Sequence, residues 1–203
     1  MGISIDRSQN VFDKEAISEL INAWVYQRDC GNWSQLKETF WPEGTISVSW
    51  FEGRFEQFID LSKKMSEKGN QTRHFIAQPF VKINDVRAVG ETKGLLFGRG
   101  GTSRLEIDLT TYFRFYDLLE KRGGVWRIFK RTAIYEKDRM DCVRPSLLFW
   151  IVSHFANLKK YPKSCRHTAF ILEKTGYEVV KNIVEDQSER LKLLYKEGDD
   201  WLS

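Results

Sequence analysis

Residues 72–134 narrow what this chain can fold into more than any other part of it. Three long runs of strand-forming residues follow one another there with little between them. The first, 72–83, reaches a tight turn at Asn84-Asp85 and returns through 86–92 to about Phe97. A second run, 105–119, is rich in Thr, Tyr and Phe, and Lys121-Arg122-Gly123-Gly124 turns it into a third at 125–134. Short turns cannot carry the crossover that parallel pairing needs, so these strands form an antiparallel meander. Gly98, Gly100 and Gly101 read as a flexible loop, suited to a cavity rim or to a long hairpin.

Helical patterns precede the meander. Asp13 is placed to cap a helix carrying Ile17, Leu20, Ile21, Trp24 and Val25 at helical spacing. Trp33, Leu36 and Phe40 predict a short second helix ending near Pro42, and 45–50 alternates as a strand. Phe55, Phe58, Ile59, Ser62 and Met65 predict a third helix, stopped by Gly69 and Asn70. Helices on one face of an antiparallel sheet make an α+β domain. After about Val143 the pattern changes: Arg144-Pro145 breaks it, an apolar helix-like segment follows, then a turn at Tyr161-Pro162 and helical stretches at 166–174 and 184–195. The expected division is an α+β barrel domain at 1–143 and a helical extension at 144–203. The extension packs on the core or on a neighbouring subunit, as a lid over a pocket or as plain stabilising structure.

Composition excludes several classes of function. The chain has 203 residues and a net charge of +4, with basic and acidic side chains interleaved, which is a solvated surface rather than a nucleic-acid footprint. Its three cysteines, Cys30, Cys142 and Cys165, are widely spaced, with neither a metal-ligand pattern nor a disulfide framework. The N-terminus lacks a signal-like apolar stretch, and Asp6 departs from a myristoylation pattern. No run approaches the roughly 20 apolar residues of a membrane span. A cytoplasmic protein with no membrane partner is expected. The 7 Trp, 7 Tyr and 14 Phe supply a core and an apolar pocket for a small organic molecule.

Candidate chemistry centres on His74, which interrupts an apolar strand, and on Asp29, one turn after Val25 and just before Gly31-Asn32-Trp33. Imidazole titrates close to neutrality, and a carboxylate beside it fixes the tautomer and stabilises the protonated form. The plain alternatives are a hydrogen-bonded core histidine and an aspartate at a helix end. Arg131 either stabilises a developing enolate or positions an acidic group, or else pairs with Glu136 or Asp138 at the surface. Tyr112 either polarises a carbonyl or packs in the sheet. Asp108 alternates with Tyr112, so both reach the cavity or both face solvent. Trp24, Phe75 and Phe80 are candidate pocket walls.

The run 24–36, with Phe40-Trp41-Pro42-Glu43-Gly44, resembles the opening of SnoaL-like proteins in the nuclear transport factor 2 superfamily. Those commonly read Tyr-x-x-x-x-Asp-x-(Gly/Lys)-(Asp/Asn)-Trp, then Phe and a Pro-acid turn. Thr72-Arg73-His74-Phe75 with 81–85 and Ala88, and Trp126-Arg127-Ile128 with Arg131 and Thr132, are further matches in order, spanning roughly residues 10 to 140. The resemblance implies a cystatin-like cone, with helices packed on a curved, mostly antiparallel sheet that encloses a pocket. It is closest to the dehydratase-like branch of bile acid 7α-dehydratase, scytalone dehydratase and gamma-hexachlorocyclohexane dehydrochlorinase. That branch uses an Asp–His dyad without metal or organic cofactor and forms trimers, whereas many other members of the superfamily are dimers. By this resemblance Asp29 and His74 are the dyad and Arg131 is a pocket arginine. Trp24 stands where characterised members carry an assisting tyrosine or lysine, and no second pocket histidine of the scytalone dehydratase kind is found. The implied activity is a cofactor-independent elimination on a polyketide-, steroid- or aromatic-like substrate. A ketosteroid-type isomerisation and a non-catalytic binding or scaffold role are its alternatives.

Overall fold

The computed structural model describes residues 7–69, 72–102 and 105–203. The reading of 1–6 and the stop at Asn70 lie outside them. Helix α1 spans Arg7–Cys30, α2 Trp33–Lys37 and α3 Phe55–Glu67. Strand β1 is Phe40–Val48, β2 Phe51–Arg54, β3 Thr72–Ile76, β4 Phe80–Asn84, β5 Arg87–Thr102, β6 Leu105–Arg122 and β7 Val125–Cys142. Beyond them lie α4 (Leu147–Phe155), two single 3-10 turns, α5 (Arg166–Lys174), β8 (Val184–Glu185) and α6 (Glu189–Leu202).

One eight-stranded sheet runs in the order β2-β1-β7-β6-β5-β3, with β4 also paired to β5 and β8 to β7. Pairing is antiparallel except where β1 and β8 lie parallel to β7. The β5–β6 hairpin keeps its register from Arg87↔Glu120 to Thr102↔Leu105, so Gly98, Gly100 and Gly101 belong to a strand. Register shifts fall at Tyr112/Phe113 and Leu118/Leu119 between β6 and β7. Such bulges bend a sheet and redirect side chains.

The inner face carries Thr111, Phe113, Phe115, Asp117 and Leu119 of β6 with Arg131, Ala133 and Tyr135 of β7. Helix α1 lays Ile17, Ile21 and Trp24 on this face, all almost fully buried. Helix α3 adds Phe55, Phe58 and Ile59 at the spacing its sequence predicts. Gly94 is required here, because a β-carbon at that position would stand 2.6 Å from Cζ of Phe113.

Several expectations need correction. Asp13 does not cap α1, which starts at Arg7; its Oδ1 accepts from Lys121 Nζ at 2.7 Å and from Trp126 Nε1 at 2.9 Å, pinning the helix to the sheet. Pro42 lies inside β1, where the β1–β7 ladder is interrupted between Phe40 and Thr45, so its missing N–H leaves no rung empty. Helices cover both faces, because α6 packs outside through Leu191 and Leu194 against Val89, Tyr116 and Leu118. The stretch 184–195 opens as β8, and its helix begins only at Glu189, capped by Ser188 Oγ accepting from Leu191 N at 3.2 Å. None of the described helices is long and apolar enough to cross a membrane.

Candidate functional site

A cavity of about 490 Å³ opens between the inner sheet face, the end of α1, α3 and α5. Trp24, Phe58, Phe113, Phe115, Tyr135 and Met140 form much of its wall. Arg99, Gly100, Gly101, Lys174 and Thr175 are lining residues exposed to solvent, so they mark its rim. Phe170, Ile171 and Leu172 close it from α5, one of the helical stretches of the extension read either as a lid or as stabilising structure.

His74, in the middle of β3, lines this wall, and Asp29, in the last turn of α1, meets it from behind. Asp29 holds the histidine at two points: Oδ2 accepts from the backbone N–H of His74 at 2.6 Å, and Oδ1 lies 2.7 Å from Nδ1 of the ring. Both side chains are about nine-tenths buried. A carboxylate only accepts, so Nδ1 carries the proton and Nε2 is left with a free lone pair. His74 lines the cavity, with Trp24 edge-on at 5.8 Å and Phe113 edge-on at 6.1 Å between ring centroids. Burial lowers the pKa of His74 below its ordinary 6.5; the Asp29 hydrogen bond and charge oppose this, and Arg28 and Arg131 add to it. The ring is therefore neutral at neutral pH, the form a general base needs.

The other expected residues divide. Trp24 lines the cavity, 2% exposed, and its indole Nε1 has no partner among the described residues. Arg131 does not line it and pairs with neither Glu136 nor Asp138. It is fully buried in a two-pronged ion pair with Asp117, Nε to Oδ1 at 2.6 Å and Nη2 to Oδ2 at 2.7 Å. Its guanidinium lies 4.5 Å from the Trp24 ring and 4.2 Å from that of Phe115, bracing the wall from behind. Burial pushes the Asp117 carboxyl up, and Arg131 holds it down.

Tyr112 and Asp108 belong to the outer set of β6, opposite Phe113 and Leu109, and neither reaches the cavity. Tyr112 sits under Lys137, whose Nζ is 4.5 Å from the ring, and Asp108 binds Arg99. Phe75 and Phe80 also point away, at 67% and 68% exposure. The inward tyrosine is Tyr135. Its hydroxyl accepts from Ser49 N at 2.8 Å, which leaves its own proton free for a ligand, and burial raises its pKa so that the proton stays on. Among the described residues no group of three His, Cys, Asp or Glu is placed to hold a metal ion.

The SnoaL-like domain model matches residues 9–132, a stretch that includes Asp29 and His74. A PEP2-like protein of Fusarium vanettenii is 28% identical over 204 residues, covering 95% of this chain and 86% of the relative. Pea pathogenicity protein 2 of the same fungus is 28% identical over 158 residues, covering 76% and 66%. Among solved structures, a candidate scytalone dehydratase from Novosphingobium aromaticivorans superposes with a TM-score of 0.56 at 15% identity, covering 70% of this chain and 94% of that one. A hexachlorocyclohexane dehydrochlorinase from Novosphingobium barchaimii gives 0.54 at 16%, covering 70% and 95%. A nuclear transport factor 2-like protein from Salmonella enterica gives 0.53 at 19%, covering 61% and 91%. At these identities the likeness is one of fold, and the fold is that of the nuclear transport factor 2-like superfamily.

Proposed function

Starting from the fact that this chain belongs to the SnoaL-like domain family, we propose that it is a cofactor-independent lyase. It eliminates water from a small apolar substrate of polyketide, steroid or aromatic type. The observation that carries this reading is the His74–Asp29 contact at 2.7 Å on the wall of an aromatic cavity.

Nε2 of His74 removes a proton from a carbon next to a carbonyl, and the electron pair of that C–H bond becomes the new double bond of an enolate. Asp29 holds the ring and stabilises the imidazolium that forms. Tyr135 donates its free O–H to the enolate oxygen, the role that the sequence suggested for Tyr112. The enolate then expels the hydroxyl from the adjacent carbon. His74 returns its proton to the departing oxygen, which leaves as water.

Trp24 supports the second reading, a non-catalytic binding protein. An indole offers one N–H donor and no acid–base function where relatives are expected to carry Tyr or Lys. The proposal extends to self-association, because Phe75 and Phe80 stand exposed on neighbouring short strands, with a trimer favoured over a dimer by the resemblance to the dehydratase branch.

A screen of apolar β-hydroxy ketones, read by enone absorbance, separates the readings. The wild-type chain should turn over at least one of them, and His74→Ala should lose roughly 10²–10⁴-fold in rate with an unchanged circular-dichroism spectrum. Full activity in that variant would sink the dyad mechanism. Tight binding without conversion by the wild type would favour the binding protein.

A further inference from the structure

The charge of the cavity wall carries information that the dyad does not use. Its charged liners are Arg28, Arg99 and Lys174, and no Asp or Glu lines it among the described residues. Arg99 is already neutralised, with Nε and Nη2 each 2.6 Å from a carboxylate oxygen of Asp108. Arg28 has no such pair among the described residues. It is half-buried in the last turn of α1, with the face of Trp33 5.6 Å away, and Asp29 acts on it through charge without a hydrogen bond. The neighbouring Asp29 spends both oxygens on His74. Lys174, exposed at the end of α5, has the Phe170 ring 5.7 Å away and feels the charge of Glu173, whose carboxylate oxygens are held by Lys160. The C-terminal dipole of α1 favours a cation at Arg28 only weakly. A half-buried guanidinium whose N–H groups make no hydrogen-bonded ion pair is incompletely satisfied, and a ligand that brings a carboxylate supplies that pair.

We propose that the cavity selects apolar ligands that carry a carboxylate, with Arg28 as the anchor and Lys174 as a weaker contact at the rim. The inference concerns the same cavity as the proposed lyase, but it rests on charge rather than turnover. A guanidinium grips a carboxylate with two parallel hydrogen bonds. Because Arg28 directly precedes Asp29, the anchor also sets how the apolar body lies against His74.

Calorimetric titration of the full chain with naphthalene-2-carboxylate and with naphthalene-2-carboxamide tests this without any reaction. At a pH of about 8, where His74 is neutral, the carboxylate should bind roughly tenfold tighter than the amide. Arg28→Gln should bring the two to within about twofold, Arg28→Lys should restore part of the preference, and Lys174→Gln should weaken the carboxylate about twofold to threefold. The amide affinity is the check that Arg28→Gln keeps its fold, and it should not change. Equal binding of both probes to the wild type, binding of neither, or a preference that survives Arg28→Gln would each overturn the proposal. His74→Ala should keep the preference, so loss of the lyase reading and loss of this one are separate results.

Discussion

Among the described residues two His–Asp pairs share nearly the same local design. In the first, Asp29 accepts from the backbone N–H of His74 and from its Nδ1 at 2.6 and 2.7 Å. In the second, Asp138 of β7 lies 2.8 Å from Nδ1 of His167 and accepts from the backbone N–H of Thr168 at 2.7 Å. The surroundings differ. His74 lines the cavity, whereas His167 does not; the inward residue there is Thr168, whose hydroxyl meets that of Thr111 at 2.7 Å. The second pair staples α5 to the sheet. A carboxylate–imidazole contact is thus not a catalytic signature by itself; what the ring's remaining nitrogen faces decides its use.

The largest difference between the pairs should appear in turnover. His74→Ala removes the proposed base, while His167→Ala should leave the rate within a few-fold of wild type. Stability should respond in the opposite sense. His167→Ala takes one donor from a nearly fully buried Asp138 carboxylate and should cost about 1.5–3 kcal/mol in urea unfolding. Equal rate losses in both variants would end the distinction drawn here.

A smaller effect sharpens the comparison through pH. Because burial outweighs Asp29 and lowers the pKa of His74, the acid limb of kcat/KM should have its midpoint below 6.5. Asp29→Asn removes the influence that raises the pKa, so the midpoint should fall further even as the plateau rate drops. The same shift has a stability sign. Between the folded and unfolded pKa the unfolded chain binds more protons, so the stability gained by keeping His74 neutral is present above about 6.5 and is lost as pH falls through the folded value. Urea unfolding at two pH values on either side of that range, with His74→Gln as the reference, measures it. An acid limb centred above 6.5 would show that Asp29, not burial, governs the ring.

Much of this architecture could be read from residue order. The meander, the three leading helices and the meeting of Asp29 with His74 follow from periodicity, turn residues and a resemblance in motif order. Phase was harder. Alternation says that Tyr112 and Phe113 face opposite ways, but not which one faces inward, because that depends on which side α1 docks. The bulge at Tyr112/Phe113 then resets the relation between β6 and β7, so Tyr135 comes inward opposite Phe113 rather than opposite Tyr112. Asp13 was misread for a related reason: an aspartate near a helix start looks like a cap until Lys121 and Trp126, more than a hundred residues away, arrive beside it. The closure of the cavity by α5 depends wholly on such long-range packing. Arg28 could have been noticed as a cation next to the dyad aspartate, but its lack of a hydrogen-bonded ion pair among the described residues is a property of the fold.

The smallest predicted effect tests that assignment of faces. Tyr135 reaches the cavity with its hydroxyl proton uncommitted, and Tyr112 stacks under Lys137 on the other face. If Tyr135 donates to a developing oxyanion, Tyr135→Phe should lower kcat by up to roughly 10²-fold, the low end for a single oxyanion donor, with little change in KM. Loss of the Ser49 contact should cost about 1 kcal/mol of stability, because Ser49 N then lacks its acceptor. Tyr112→Phe should leave kcat within about twofold, since an outward hydroxyl makes no contact with the reacting atoms. Equal effects on kcat would mean that the hydroxyl inside the cavity does no more than hold Ser49. A rise in KM alone for Tyr135→Phe would place it in ground-state binding rather than in the transition state.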